Sequence, residues 1–95
     1  MAVKIIILRH VPADKEEALR PLLLKMRALA HAQPGYLAGE TLVNYDDPSE
    51  RVVISSWKTL ENWNSWLRDP QRIALQDEVD RLLGQETLYQ IYYNG

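Results

Sequence analysis

Three tryptophans, Trp57, Trp63 and Trp66, fall within the stretch "SSWKTLENWNSW" from Ser55 to Trp66. They are all the tryptophans of a chain that has neither phenylalanine nor cysteine. Indole rings do no acid–base work. They can offer flat apolar faces that orient a planar ligand, worth about 0.5–1.5 kcal/mol per aromatic pair beyond area burial. Trp63 and Trp66 are three residues apart, so they share one face of a helix. Among groups that could move a proton, His10 near the end of an apolar strand is a candidate general base. Tyr36, Tyr45, Tyr89, Tyr92 and Tyr93 could each donate a hydrogen bond to a substrate oxygen, and so could the amide of Gln76.

Each of these residues also has a purely structural reading. Trp57 suits a core position at a strand–helix junction, its N–H bonded to a nearby carbonyl. For Trp63 and Trp66 it is core or dimer packing, against a ligand-stacking role in which one packs on the sheet and the other lines the mouth of a cavity. A lone histidine such as His10 fits a satisfied strand edge. His31 closes a helix, where a cation complements the helix dipole.

Other chemistries are excluded. The two histidines have no partner at metal-ligand spacing and the chain has no thiol, so no metal is expected. There is no glycine-rich phosphate loop, no G-x-S-x-G and no nicotinamide fingerprint. Any enzyme built here works without a tightly bound dinucleotide. Eleven basic against thirteen acidic residues give a net charge of -2, with no basic patch for nucleic acid or an anionic membrane. The apolar run Ile5 to Leu8 is far too short for a membrane span or a signal-peptide core, and a cytoplasmic location is the default.

The elements that must hold these residues are legible. Ninety-five residues suggest one domain. "VKIIILRHV", Val3 to Val11, is rich in β-branched residues and reads as a strand. It is apolar on both faces at its middle and should be central. Asp14 and Glu17 form a capping-box variant. Leu19, Leu22, Leu23, Met26, Leu29 and Ala30 then repeat at helical spacing, with Pro21 expected to kink the second turn. Pro34-Gly35 ends that helix. Tyr36 to Tyr45 and Arg51 to Lys58 read as a hairpin around "DDPSE". Thr59 caps a short helix, Asp69-Pro70 starts another, and Gly84 stops it. Glu86 to Tyr93 is a last strand.

The order β-α-β-β-α-β is the ferredoxin-like split βαβ pattern, an α+β fold with helices on one face of a four-stranded antiparallel sheet. If Val3, Ile5 and Ile7 are read as the other face, with aromatics of the last strand, a second copy of the sheet is its simplest cover. A homodimer through sheet-face packing follows.

The stretch "PGYLAGETLVNYDDPSERVVISSWKTLENWNSWLRDPQ" resembles the antibiotic biosynthesis monooxygenase domain of the dimeric α+β barrel superfamily. The matching features are Pro-Gly before the second strand, Trp57 ending the third, the acidic-aromatic helix and the "WL-x-D-P" turn. Element order and length fit across residues 1–95 as one domain. The resemblance implies a cavity between sheet and helices beside Trp57. It implies a cofactor-independent monooxygenase acting on a small aromatic or quinol-type substrate, with Trp57, Trp63, Trp66 and Gln76 against the substrate. His10 or a tyrosine would then move protons. Many members carry histidines where Trp66 and Gln71 stand here. The haem-degrading branch has a tryptophan at the place of Trp66, but an axial histidine and a strand asparagine where this chain has Gln76 and Leu8. Two alternatives therefore stand beside the first: a non-catalytic dimer that holds a small hydrophobe, and haem binding with degradation.

Overall fold

A computed structural model describes residues 1–95. Strand β1 (Val3–His10) leads through a short 3-10 turn (Ala13–Lys15) into helix α1 (Glu16–His31). The hairpin β2 (Tyr36–Val43) and β3 (Glu50–Trp57) follows, then α2 (Leu60–Leu67), α3 (Pro70–Leu83) and β4 (Tyr89–Tyr92). The sheet order is β2-β3-β1-β4, with every neighbouring pair antiparallel. This is the predicted ferredoxin-like α+β arrangement, with β1 central and the second helical segment split in two.

The split has a local cause. Thr59 caps α2, its Oγ1 accepting from Asn62 N at 3.0 Å. Asp69 then caps α3 by accepting from Gln71 N and Arg72 N, and Pro70 occupies the first turn, where its missing N–H costs nothing. Gly84 ends α3 in the left-handed conformation, φ 69°. Two expectations shift. The Asp14–Glu17 box does not form, because Ala13–Lys15 tightens into a 3-10 turn and α1 starts at Glu16 with no side-chain cap. Pro21 lies on the exposed side of α1, and the helix runs through it as one element.

Strand parity is the larger correction. Val3, Ile5 and Ile7 face the helices and are buried, whereas Lys4, Leu8 and His10 on the alternate file are exposed and Ile6 is half-buried. Both files of β1 are apolar at its centre, so alternation by itself does not tell inside from outside. The outer face instead carries Ile6 beside Ile54 and Leu8 beside Val52, with Leu42 and Tyr92 on the flanking strands. Of the last strand's aromatics, Tyr92 lies on that outer face and Tyr89 packs inward against Trp63. No helix is long and apolar enough to cross a membrane.

Two clusters hold helices to sheet. One joins Val3, Ile5, Ala30 and the three tryptophans, and the other joins Val11, Leu19 and Val79. The junction beneath the first is tight. Gly35 has φ 80°, accepts from Lys58 N at 2.7 Å, and lies against the Asn62 side chain, so an added Cβ would fall onto that side chain. Gly35→Ala should therefore lose about 2–3 kcal/mol, combining left-handed strain with the overlap. Urea denaturation of the variant against the unmodified chain measures this. A loss under about 0.5 kcal/mol, the ordinary surface value, would show that the junction relaxes freely.

Candidate functional site

Between the inner face of the sheet and α1, α2 and α3 lies a cavity of about 260 Å³. One end is aromatic. Trp57 sits at the centre, its ring edge-on to Tyr36 at 5.3 Å and to Trp63 at 5.9 Å, and stacked on Trp66 at 6.3 Å. Strand β3 delivers Trp57 as its last inward residue. The spacing of Trp63 and Trp66 turns both rings of α2 inward over it. Leu23, Met26 and Ala30 of α1 complete the apolar wall.

The other end is polar and cationic. Arg9 continues the inward file of β1 after Ile5 and Ile7, and is 8% exposed. Arg72 of α3 is 4% exposed and donates to Leu67 O at 3.1 Å and to Tyr89 Oη. Its guanidinium lies over the Trp63 and Tyr89 rings, 5.9 and 5.1 Å from their centroids. Tyr89 in turn donates to Gln76 Oε1 at 3.1 Å. The Gln76 amide nitrogen donates to Asp80 Oδ1 at 2.9 Å and to Thr87 Oγ1 at 2.7 Å. Burial lowers the pKa of both arginines, and Asp80 pulls each back up. Arg72 is further lowered by Arg9, so the two cations feel each other. Both remain charged. At the mouth, Arg51 donates to Glu16 at 3.0 Å, which holds that carboxyl below its usual range.

Two buried donors lack partners: Arg9 Nε and Trp63 Nε1. Buried polar groups are nearly always bonded, so unsatisfied atoms gathered on one cavity mark where a ligand could bond.

Of the residues singled out from the sequence, Tyr36 and Tyr89 line the cavity, and so do the four proposed to contact a substrate, Trp57, Trp63, Trp66 and Gln76. All three tryptophans are also core, so the two readings of each coincide. The Trp57 N–H bonds to Ser55 Oγ at 3.1 Å where a carbonyl was expected. Trp63 and Trp66 are both deeply buried, where one of them was expected at the mouth. His10 is not brought to the cavity. The pleat that turns Arg9 inward turns His10 to the exposed face, where its Nδ1 meets Ser49 Oγ at 3.1 Å. His31 packs tilted against Tyr36 at the end of α1, with ring centroids 4.8 Å apart. No three His, Asp or Glu side chains converge as metal ligands.

Arg9 and Arg72 were missed. Signals were present for both. Arg9 stands in the same alternate file as Val3, Ile5 and Ile7. Arg72 shares the i, i+3, i+4, i+7 face of Leu75, Gln76 and Val79. A charge on an apolar file needs a partner or a purpose.

The family described as antibiotic biosynthesis monooxygenase matches residues 1–78. Among solved structures, a conserved protein from Methanosarcina mazei Go1 is similar over 100% of this chain and 94% of its own, at 15% identity and TM-score 0.90. Rv0793 from Mycobacterium tuberculosis is similar over 100% and 96%, at 19% identity and TM-score 0.85. A mutant form of SnoaB, a cofactor-independent oxygenase from Streptomyces nogalater, is similar over 98% and 92%, at 17% identity and TM-score 0.85. At these identities the likeness shows the fold. Curated proteins offer no match.

Proposed function

The chain belongs to the antibiotic biosynthesis monooxygenase family, and from that premise we propose that it is a cofactor-independent monooxygenase acting on a small aromatic or quinol-type molecule held in the tryptophan-walled cavity. The observation that carries this reading is the cavity itself: flat indole walls at one end, buried arginines at the other, and an unsatisfied hydrogen-bond donor on each, Trp63 Nε1 and Arg9 Nε. Many pockets are apolar with a few convergent polar groups, and this one has that form.

In this reading Trp57 and Trp66 orient the ring, with Trp63 beside them. Loss of a proton from the substrate leaves a phenolate-like carbanion, which reduces O₂. One oxygen atom enters the ring carbon and the other leaves as water. The Arg72 charge and the Trp63 N–H face the developing oxyanion, in a dry site where such groups act strongly. Tyr89, bonded to both Arg72 and Gln76, is the hydroxyl placed to pass a proton. His10 has no part, because it lies on the opposite face. We place the protein in a homodimer whose outer sheet faces pack together.

Oxygen uptake with a set of hydroquinones and anthrones tests the reading. Uptake above the buffer control, with one quinone formed per O₂ consumed in chelator-treated buffer, is expected. No uptake across the set counts against it.

A second reading, a non-catalytic binder of small hydrophobes, draws on the absence of any imidazole among the cavity residues. Ligand binding without oxygen uptake would favour it.

A further inference from the structure

The cavity's charge does not match that of the chain. The whole sequence is acidic, with a net charge of -2, yet five of its seven arginines line this one cavity, against two glutamates. Three of the five lie toward the mouth, where Glu16 is engaged by Arg51 and approached by Arg20. Arg27 reaches Thr41 Oγ1 at 3.3 Å. Arg9 and Arg72 are inside.

The two inner arginines differ in what they already have. Arg72 is bonded to a carbonyl and a phenol and lies over the Trp63 and Tyr89 rings. Arg9 is more than nine-tenths buried, lines the cavity, and keeps an unpartnered Nε. Asp80 is the acid whose charge acts on it, but Asp80 Oδ1 accepts from Gln76 and Thr87. Arg9 thus shares its one acidic neighbour with Arg72, on which Asp69 and Asp77 also act, and no carboxylate forms a salt bridge with Arg9. An isolated buried charge is strongly unfavourable unless something completes it.

We propose that the substrate or ligand is an aromatic carboxylate, its acid group seated on the Arg9 guanidinium and its ring against the tryptophans. A planar guanidinium matches a carboxylate geometrically, and such a group would give the unpaired Arg9 a direct ionic partner. The arginines at the mouth draw such an anion inward. A permanent acid on Arg9 also fixes which ring carbon lies beside Arg72 and Tyr89, so recognition and orientation come from separate cations. This proposal rests on the cavity being the ligand site, as argued above.

Calorimetric titration of the intact protein with 2-naphthoate and 2-naphthamide separates the two ideas. The rings are the same and the groups are close in shape, but only the first carries a charge at neutral pH. Naphthoate should bind about ten-fold more tightly or better, as a charge-assisted pair requires. Added salt should narrow the gap. In Arg9→Gln, the preference for naphthoate over naphthamide should fall to within about two-fold, because the variant removes the charge that distinguishes the two probes. Equal binding of the two probes by the unmodified protein overturns the proposal and leaves the cavity reading standing. So does a preference that survives Arg9→Gln. Binding of neither probe overturns both. The comparison on the unmodified protein can overturn the proposal even if the variant does not fold.

Discussion

Trp57→Ala should cost the protein about 3–5 kcal/mol, against a total of about 5–15 kcal/mol for a domain of this kind. The residue is 1% exposed, and its ring meets those of Tyr36, Trp63 and Trp66. It lies between Val3 and Tyr36 in the sheet register, under both tryptophans of α2. Truncation opens a void that neither the pleated backbone nor the capped α2 helix can move to fill. It also frees Ser55 Oγ, which now accepts the indole N–H. Trp57→Phe should lose less than half as much, since most of the buried ring area remains. Urea denaturation followed by circular dichroism measures both. A loss below about 1 kcal/mol for the alanine variant would mean that the cluster collapses around the gap and that Trp57 is not the anchor assigned to it. Because the same ring walls the cavity, the variant that folds poorly should also lose its ligand. The phenylalanine variant is thus the better probe of binding.

Leu8→Glu should turn the proposed homodimer into a monomer. Leu8 is 60% exposed in the single chain and sits on the outer file of the central strand. Its neighbours on that face, Val52 across β3 and Ile6 two residues back, are also apolar. Contiguous apolar area of this kind marks an interaction surface. A two-fold axis repeats the substitution on both subunits, so two carboxylates enter one apolar contact. Desolvating them should cost several kcal/mol and lower the association constant by about a thousand-fold or more. Light scattering should report twice 11.0 kDa for the unmodified chain and 11.0 kDa for the variant. The variant's denaturation midpoint should also stop depending on concentration. An unmodified chain that is monomeric at micromolar concentration, or a variant that stays dimeric, would remove the sheet face as the interface. Since Leu8 touches neither cluster of the core, loss of the dimer would not be confused with loss of the fold.

The legible features were those decided by a few neighbouring residues. Thr59 and Asp69-Pro70 announce helix starts because their side chains and missing N–H act within one turn. Pro34-Gly35 and Gly84 announce stops because only glycine takes the left-handed conformation cheaply. The order of strands and helices followed, and with it the sheet with helices on one face. The helical spacing of Trp63 and Trp66 was enough to place them together over Trp57.

What local pattern did not decide was which way each strand faces. β1 is apolar on both files, so nothing within it separates the Val3–Ile5–Ile7 file from the Ile6–Leu8 file. Only the pairing of Val3 with Trp57, and the helices that close over Trp57, choose the side. That single choice sends Arg9 into the cavity and His10 out of it, and so reassigns the charged chemistry of the site from a histidine to an arginine. The partnership of Arg72 with Tyr89 spans seventeen positions and the charge of Asp80 on Arg9 spans more. Such contacts exist only once the chain has packed. The sequence by itself determined the elements, their order and the aromatic wall, because turn, cap and period-of-3.6 signals are local. The tertiary structure alone decided the inner face, the paired cations and the unpartnered donors, because burial belongs to the assembled layers and not to any one segment.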